Sequence, residues 1–472
     1  MIALAAGPLA FAVVLAVPWE GLTPAAHALL AVLAWVVVYW LTEALPVAAT
    51  ALLGSALCVL TGVAPAAKVF AAYGDPVILL FVGSFVLAAA MQASGLDQRL
   101  AFALLRRPWA RRSPGHLMLA LGVVTCGLSL WVSNTATTAM MLPVAVGLVR
   151  ALGAAGTPLA VGLPLMTTWA SSVAVGIPIA SPPNLIAIGM VRDLTDRQLT
   201  FFDWVAVTMP MTVAMLGLCW AILHWRYGRG ARNAADLAGV VPAPDPWHPR
   251  QRRVAVVFVA TCALWVLPGL AAVVAPGSAV SAWLEARLPE SVVAILAAVA
   301  LVLLPAGEAD RRPVLSWAEA VRIDWGTILL FGGGLALGRL TFETGLADTV
   351  GRAAAAWGTE GRLWTLTAIA IVLGVVLSEL ASNTAAATVI VPLMIAVAAG
   401  AGVSPLPPAL GAALGASFGF MLPVSTPPNA IVYGSGLVSL RQMVTSGIWL
   451  DLTGAVVIWL GLRLLCPLFG VL

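Results

Sequence analysis

Apolar runs long enough to cross a lipid bilayer recur along the whole of this 472-residue chain. A transmembrane helix needs about 20 predominantly apolar residues. We identify eleven such runs, at residues 3–18, 27–41, 46–63, 76–96, 159–189, 204–225, 253–275, 291–305, 326–341, 408–435 and 447–470. Only 9% of the residues are charged, whereas soluble domains carry about 25%. The sequence therefore predicts an all-α polytopic membrane protein with about eleven transmembrane helices.

Two further apolar stretches, 116–151 and 363–402, each carry a polar triplet near the middle. The triplets are Ser133-Asn134-Thr135 and Ser382-Asn383-Thr384. The flanks of each triplet are short for a full crossing, and non-helical backbone at membrane depth is tolerated where it lines a cavity. We therefore expect two re-entrant helical hairpins that turn back at their triplets.

The two triplets belong to a longer internal repeat. Each is followed by a Pro-Pro-Asn element, "SPPN" at 181–184 and "TPPN" at 426–429, and "ILLFVGSFVLA" at 78–88 resembles "ILLFGGGLALG" at 328–338. An odd number of segments separates equivalent elements, so the two halves should have opposite topology in the membrane. We predict one inverted repeat in residues 1–225, a cytoplasmic linker in 226–253 and a second repeat in 254–472.

Basic clusters predict the orientation, because cytoplasmic loops are enriched in arginine and lysine. The clusters lie at 106–112, in the linker and at 311–322. With eleven spans and a cytoplasmic N-terminus, all three fall on the cytoplasmic side, and the loops 190–203, 276–290 and 342–362 fall on the opposite side. The first apolar run has no basic region before it, which favours an uncleaved helix over a signal peptide.

The repeated elements suggest a binding site shared by the two halves. A single Ser-Asn-Thr triplet in a membrane helix is more often a packing contact between helices, but two triplets with two matching Pro-Pro-Asn elements favour a ligand site. Where a helix breaks, its N–H groups attract anions and its freed carbonyls attract cations. Proline frees carbonyl groups in the preceding turn, and we expect Asn184 and Asn429 to bridge them.

The charges around these elements indicate the kind of ligand. No arginine or lysine lies near either triplet, so a bound anion would be balanced by helix dipoles, hydroxyl groups and a co-bound cation such as Na⁺. Few acids lie in the spans (Glu43, Glu379 and Asp451), which makes a cation/proton or arsenite-type exchanger the weaker alternative. An intramembrane enzyme is disfavoured because an HExxH motif and paired membrane aspartates are absent and the candidate site consists of neutral residues, whereas acid–base catalysis needs a titratable group. Nothing indicates a nucleic acid partner, a structural metal or an organic cofactor.

Five segments carry a resemblance to a known family: "WLTEALPVAATALL" (40–53), "SNTATTAMMLPV" (133–144), "SPPNLIAIG" (181–189), "ELASNTAAATVIVPL" (379–393) and "FMLPVSTPPNAIVYGSG" (420–436). In these segments the chain resembles the divalent anion:sodium symporter family, solute carrier family 13. The resemblance implies a homodimer in the bacterial inner membrane. It also implies that each protomer has a scaffold domain and a transport domain that holds both hairpins and moves as an elevator. Both domains would draw on both halves of the chain.

The resemblance also implies which residues bind the ions and the substrate. The first sodium site would use Ser129, Ser133 and Asn134 with backbone near Ala180. The second would use Ser378 and Asn383 with backbone near Ala381 and Ser425. The substrate site would use Asn134, Thr135, Ser181, Asn383, Thr384, Thr426 and Pro427. The chain departs from the family at Val173–Pro178, where two glycines and a threonine of the usual pattern are missing and a proline is gained.

The resulting hypothesis is a secondary transporter that imports a small dianion, a C4-dicarboxylate such as succinate, malate or fumarate, together with Na⁺. Two alternatives share the architecture. One is a sodium-independent dicarboxylate exchanger, which the departure at Val173–Pro178 keeps open. The other is a transporter of sulfate or citrate.

Overall fold

The computed structural model describes residues 2–19, 21–195, 197–228, 246–307, 311–354 and 362–470. Within these ranges every secondary-structure element is a helix. The only β-type pairing in them is one isolated bridge between Pro305 and Pro313. The all-α prediction is confirmed. Most of the predicted linker, including Arg229 and Arg232, lies outside the described residues, and the division into domains stays a prediction.

In the described part of the first half, the chain forms eleven α-helices. They are α1 (Ile2–Ala16), α2 (Pro24–Thr42), α3 (Val47–Leu60), α4 (Ala66–Ala71), α5 (Pro76–Ser94), α6 (Leu96–Leu105), α7 (Pro114–Ser129), α8 (Asn134–Ala151), α9 (Leu159–Ser172), α10 (Pro182–Leu194) and α11 (Phe201–Tyr227).

The described residues of the second half form eleven more α-helices. They are α12 (Pro249–Val274), α13 (Ala279–Arg287), α14 (Glu290–Leu303), α15 (Trp317–Ala320), α16 (Trp325–Glu343), α17 (Leu346–Ala354), α18 (Leu363–Leu380), α19 (Asn383–Gly400), α20 (Leu406–Ala416), α21 (Pro427–Gly434) and α22 (Leu440–Leu468).

Eight stretches of helix in the described part of the chain are long and apolar enough to cross a membrane, and a ninth span results if α13 and α14, which meet at 61°, are counted as one. The eleven predicted runs include shorter helices such as α1 and α3, so the exact count stays a prediction. The hairpin helices α18 and α19 have 18 residues each and are among the eight. Our argument that the flanks of a triplet are too short is therefore wrong for the second hairpin, and its re-entrant nature stays a prediction.

Two of the predicted apolar runs are broken in the middle, and proline is the cause. The run at 159–189 divides into α9 and α10, and the run at 408–435 divides into α20 and α21. Each second helix begins with a Pro-Pro pair, which has no N–H groups to donate to the preceding turn. Residues 173–181, which we call the first break, contain a short 3-10 turn at Pro178–Ala180, and residues 417–426, the second break, are non-helical.

The helices pack in a pattern that repeats between the halves. Helix α5 packs against α14, and its counterpart α16 packs against α3. Matching glycines permit both contacts: a Cβ on Gly83 would lie 2.4 Å from the backbone of Ala294, and a Cβ on Gly333 would lie 2.9 Å from the carbonyl oxygen of Ala51. The short helix after each break packs against helices of the other half: α10 packs on α19 and α20, and α21 packs on α8 and α9. This exchange brings the triplet of each half close to the break of the other.

Candidate functional site

Each Ser-Asn-Thr triplet lies at the turn of a helical hairpin, and the two turns share one hydrogen bond. In the first turn the hydroxyl of Ser129 donates to Oδ1 of Asn134 over 2.7 Å. In the second turn the hydroxyl of Ser378 donates to Oδ1 of Asn383 over 2.6 Å. Both serines are buried at the C-terminal ends of α7 and α18. Each turn therefore presents two neutral oxygens close enough to contact one small cation, which hard cations such as Na⁺ prefer to nitrogen or sulfur.

The same turns also start helices, and this gives them affinity for anions. Helix α8 begins at Asn134 and α19 begins at Asn383. The hydroxyl of Ser133 accepts a hydrogen bond from the N–H of Ala136 over 3.3 Å, whereas Ser382 makes no such bond. The first N–H groups of a helix have no partner within the helix and carry partial positive charge. Because α10 and α21 start with prolines, the backbone donors for an anion come mainly from α8 and α19.

Asn184 and Asn429 bridge the two breaks, as the sequence predicts. The amide nitrogen of Asn184 donates to the carbonyl oxygens of Val175 and Ile177 over 3.2 and 3.0 Å. The amide nitrogen of Asn429 donates to the carbonyl oxygens of Gly419 and Leu422 over 2.8 and 3.0 Å. Both asparagines are fully buried. Each one therefore satisfies backbone groups that the missing helical turn leaves open.

The second break is held by more hydrogen bonds than the first. Oδ1 of Asn429 accepts a hydrogen bond from Thr168 of the first half over 2.6 Å, but Oδ1 of Asn184 has no partner among the described residues. The residue that corresponds to Thr168 is Ala413, at the same offset of 245 that relates Asn184 to Asn429. Alanine has no hydroxyl group, so the first break lacks this contact.

Hydrogen bonds also join the two halves around the second turn. The amide nitrogen of Asn383 donates to the carbonyl oxygen of Ser417 over 3.3 Å. The hydroxyl of Ser417 lies 3.4 Å from the hydroxyl of Ser181 in the first break. On the other side, Thr138 of α8 lies 2.8 Å from Ser171 of α9, hydroxyl to hydroxyl. The second turn and both breaks thus belong to one polar region.

The predicted site residues differ in their exposure. Ser133, Thr135 and Pro427 are exposed, and Asn134 and Asn383 are half-buried. The remaining ones are buried, namely Ser129, Ala180, Ser181, Ser378, Ala381, Thr384, Ser425 and Thr426. No hydrogen bond between described residues joins Asn134 directly to Asn383, and Thr135 makes none with its side chain. The first turn is therefore the more open of the two.

Sequence reasoning did not assign a role to Glu379, which supports the second break. Its carboxylate accepts hydrogen bonds from the N–H groups of Met421 and Leu422 over 2.8 and 3.1 Å. Asp451 of α22 is buried beside it. At the matching offset of 249 the first half has Leu130, so this support exists only in the second half. A lone glutamate in an apolar helix is a signal that could have pointed to it.

Comparison with known proteins finds a matching family model and similar transporters. The family model described as "Sodium:sulfate symporter transmembrane region" matches residues 2–470. The sodium-dependent dicarboxylate transporter SdcS of Staphylococcus aureus (strain bovine RF122 / ET3-1) is 30% identical over 501 aligned residues, which cover 99% of this chain and 91% of that protein.

Two solved structures share the fold. The YdaH transporter of Alcanivorax borkumensis has a TM-score of 0.56 at 17% identity, with 86% of this chain and 87% of that chain covered. MtrF of Neisseria gonorrhoeae has a TM-score of 0.55 at 13% identity, with 86% and 83% covered. At these identities the likeness concerns the fold alone.

Proposed function

The chain belongs to the sodium:sulfate symporter family, and we propose that it transports a C4-dicarboxylate such as succinate, malate or fumarate together with Na⁺. It is a multi-pass protein of the plasma membrane and a sodium-coupled anion transporter, not an enzyme. The observation that carries the proposal is the pair of Ser–Asn oxygen clusters, each at the start of a hairpin helix.

The sodium ions would bind at the turns. The first site would be formed by Ser129, Ser133, Asn134 and the backbone of Ala180. The second would be formed by Ser378, Asn383 and the backbone of Ala381 and Ser425. In each site Na⁺ would take the place of the hydrogen bond between the serine hydroxyl and the asparagine oxygen, with the hydroxyl keeping its proton and turning so that both oxygens face the ion. The hydroxyl–amide hydrogen bond would then keep the two oxygens together in the absence of the ion.

The substrate would lie between the two turns, with one carboxylate at each. Its contacts would be Asn134, Thr135, Ser181, Asn383, Thr384, Thr426 and Pro427. Each carboxylate would meet the partial positive charge of a helix start and the charge of the adjacent Na⁺. Because no described arginine, lysine or histidine makes a hydrogen bond at either turn, the anion depends on Na⁺ for compensation. This dependence supports coupled transport. The name of SdcS as a dicarboxylate transporter favours two carboxylates over sulfate.

The transport cycle we propose is an elevator movement within each protomer of a homodimer. The transport domain would comprise the two hairpins, α7–α8 and α18–α19, with α9–α11 and α20–α22. The scaffold domain would comprise α1–α5, α12–α14 and α16, with α13 packed on α12. The transport domain would carry the site across the membrane against the contacts that α10 and α19 make with α16.

Uptake of labelled succinate into proteoliposomes tests the substrate and the coupling. We expect uptake to require an inward Na⁺ gradient and to be inhibited by malate and fumarate. Uptake that is indifferent to Na⁺ but requires internal dicarboxylate would identify an exchanger. Inhibition by sulfate or citrate, with no effect of malate, would assign the site to those anions instead.

Substitutions at the turns test the site. Asn134→Ala and Asn383→Ala should each abolish uptake while leaving expression unchanged, because each removes a ligand of both Na⁺ and the anion. Thr453→Ala is the control and should transport normally, because the half-buried Thr453 side chain donates its hydrogen bonds only within α22. Normal uptake by both asparagine variants would show that the turns are not the site.

A further inference from the structure

Four charged side chains from three places in the chain form a compact cluster at the end of α10. Nη2 of Arg192 lies 2.6 Å from Oδ2 of Asp75 and 2.8 Å from Oδ1 of Asp193. Nη2 of Arg339, on α16, lies 2.6 Å from Oδ2 of Asp75 and 2.6 Å from Oδ2 of Asp193. We call these four residues the ionic cluster. With two arginines and two aspartates it is formally neutral.

Two of these ion pairs cross between the proposed domains. Arg192 and Asp193 belong to α10 of the transport domain, whereas Asp75 and Arg339 belong to the scaffold domain. The pairs Arg192–Asp75 and Arg339–Asp193 therefore join the two domains. The Asp75 side chain is 3% exposed and that of Asp193 is 10% exposed. Separating the domains would leave each aspartate with only the arginine of its own domain, Asp193 with Arg192 and Asp75 with Arg339. Each buried carboxylate would thus lose one of its two cations, which is more costly than separating exposed charges.

The surroundings indicate that the ionic cluster carries part of the contact in this region. A cavity of about 350 Å³ lies directly beside it, between α5, α10, α11, α12 and the loop before α14. Its walls include Leu185 and Ile188 of α10 on one side and Trp265 of α12 on another, with Arg192 at its edge. At this cavity Phe201 of α11 and Trp265 of α12 pack ring on ring, with centroids 5.5 Å apart, so the ion pairs and this apolar contact together connect the domains here.

The internal repeat has no second copy of the ionic cluster. Asp324 takes the place of Asp75 as the cap of α16, but its carboxylate bonds only to Thr327 among the described residues. At the offset of 245, Leu437 and Val438 stand in place of Arg192 and Asp193. At the offset of 250, Ala89 stands in place of Arg339. In an inverted repeat, equivalent positions lie on opposite sides of the membrane.

We propose that the ionic cluster stabilises one end state of the transport cycle and that the opposite end state has no equivalent contact. The inference rests on the elevator movement proposed above. When α10 slides along α5 and α16, both interdomain pairs must separate. The contacts that replace them on the other side would involve Leu437, Val438 and Ala89, which cannot form ion pairs. The empty transporter therefore prefers the conformation in which the ionic cluster is closed. The cluster lies on the side predicted to face away from the cytoplasm.

Spin-label distances across the cavity test this proposal. Gln198 and Glu285 are exposed on different walls of the cavity, so labels at Gln198→Cys and Glu285→Cys report its width. The labels are placed in a full-length chain whose five cysteines have been replaced by alanine and whose succinate uptake has been verified. Without substrate, we expect one dominant distance and a minor, longer one.

Arg339→Gln and Asp193→Asn should each raise the ratio of the minor to the major distance about fivefold to tenfold, as expected for loss of one half-buried ion pair. The double variant should shift the ratio no further than the larger single change, because both substitutions remove the same pair. Lys68→Gln is the matched control. It breaks the Lys68–Glu343 pair between α4 and α16, on the scaffold side of the boundary, and should leave the ratio unchanged.

An unchanged ratio in Arg339→Gln and Asp193→Asn, or an equal shift in Lys68→Gln, would overturn the proposal. A parent protein that shows a single distance under all conditions, with and without Na⁺ and succinate, would overturn it as well. A wrong assignment of the substrate can be told apart from a wrong proposal about the ionic cluster, because the distances can shift with the ionic cluster even if another anion is transported.

Discussion

The two bridging asparagines occupy equivalent places but should not be equally important. Asn429→Ala removes the three hydrogen bonds that the amide nitrogen donates to Gly419, Leu422 and Ser425, and it removes the acceptor of Thr168. Ser425 also donates to Gly419 and Leu422, so those carbonyl groups keep one partner. The hydroxyl group of Thr168 keeps no hydrogen-bond partner among the described residues.

The size of the difference follows from these partners. A buried hydrogen bond contributes about 0.5–1.5 kcal/mol and an unsatisfied buried group costs about 1–3 kcal/mol. Asn429→Ala should therefore destabilise the second break by about 2–4 kcal/mol. In Asn184→Ala, the carbonyl of Val175 keeps its bond from Trp204 and that of Ile177 keeps its bond from Ala180. The unpartnered Oδ1 also disappears, so the cost should be only about 1 kcal/mol.

Thermal unfolding of the purified variants in Na⁺ measures the difference, and sodium-dependent succinate uptake measures its consequence. Asn429→Ala should lower the unfolding temperature more than Asn184→Ala and should raise the Na⁺ concentration required for half-maximal uptake. Thr168→Ala leaves Asn429 with an unpartnered Oδ1, as Asn184 has now. Combined with Asn429→Ala, it should show a coupling of about 0.6 kcal/mol, the average for hydrogen bonds between membrane helices, and no more than about 1.7 kcal/mol. An equal fall in unfolding temperature in Asn184→Ala and Asn429→Ala would refute the reasoning.

Three further predictions concern single contacts. Ser378→Ala and Ser129→Ala should each raise the Na⁺ concentration for half-maximal uptake with little change in protein stability, and an unchanged Na⁺ dependence would remove these hydroxyls from the sodium sites. Glu379→Ala should lower the unfolding temperature, because it removes the acceptor of two N–H groups at half-buried residues of the second break, at no more than about 1–3 kcal/mol each; an unaltered temperature would show that water replaces the carboxylate. Gly415→Ala should reduce the yield of folded protein in size-exclusion chromatography, because its Cβ would lie 2.5 Å from a backbone carbonyl of α18. Gly434→Ala, whose Cβ would meet nothing within 4 Å, is the control, and equal yields would contradict the close packing of α18 on α20.

Local rules of the chain made much of the site predictable. A Pro-Pro pair in the middle of an apolar run interrupts the helix there, so both breaks follow from the sequence. A buried asparagine next to freed carbonyls has few other partners, so the roles of Asn184 and Asn429 follow as well. The lengths of the hairpin helices could not be predicted from the sequence. Apolar composition indicates that a segment is buried or lipid-facing, but it does not distinguish a helix that crosses from one that turns back.

The sequence by itself determined that this is a polytopic membrane protein with two halves, that the halves repeat, and where their helices break. Those features depend on composition, spacing and proline, which act within a few residues. The tertiary structure decided which groups complete the site and what surrounds it. Thr168 and Asn429 are 261 positions apart, and Arg339 and Asp75 are 264 positions apart. A threonine or an arginine does not specify its partner over such a separation. Only the packing of α9 on α21, and of α16 beside α5 and α10, makes one break stronger than the other and closes the ionic cluster on one side.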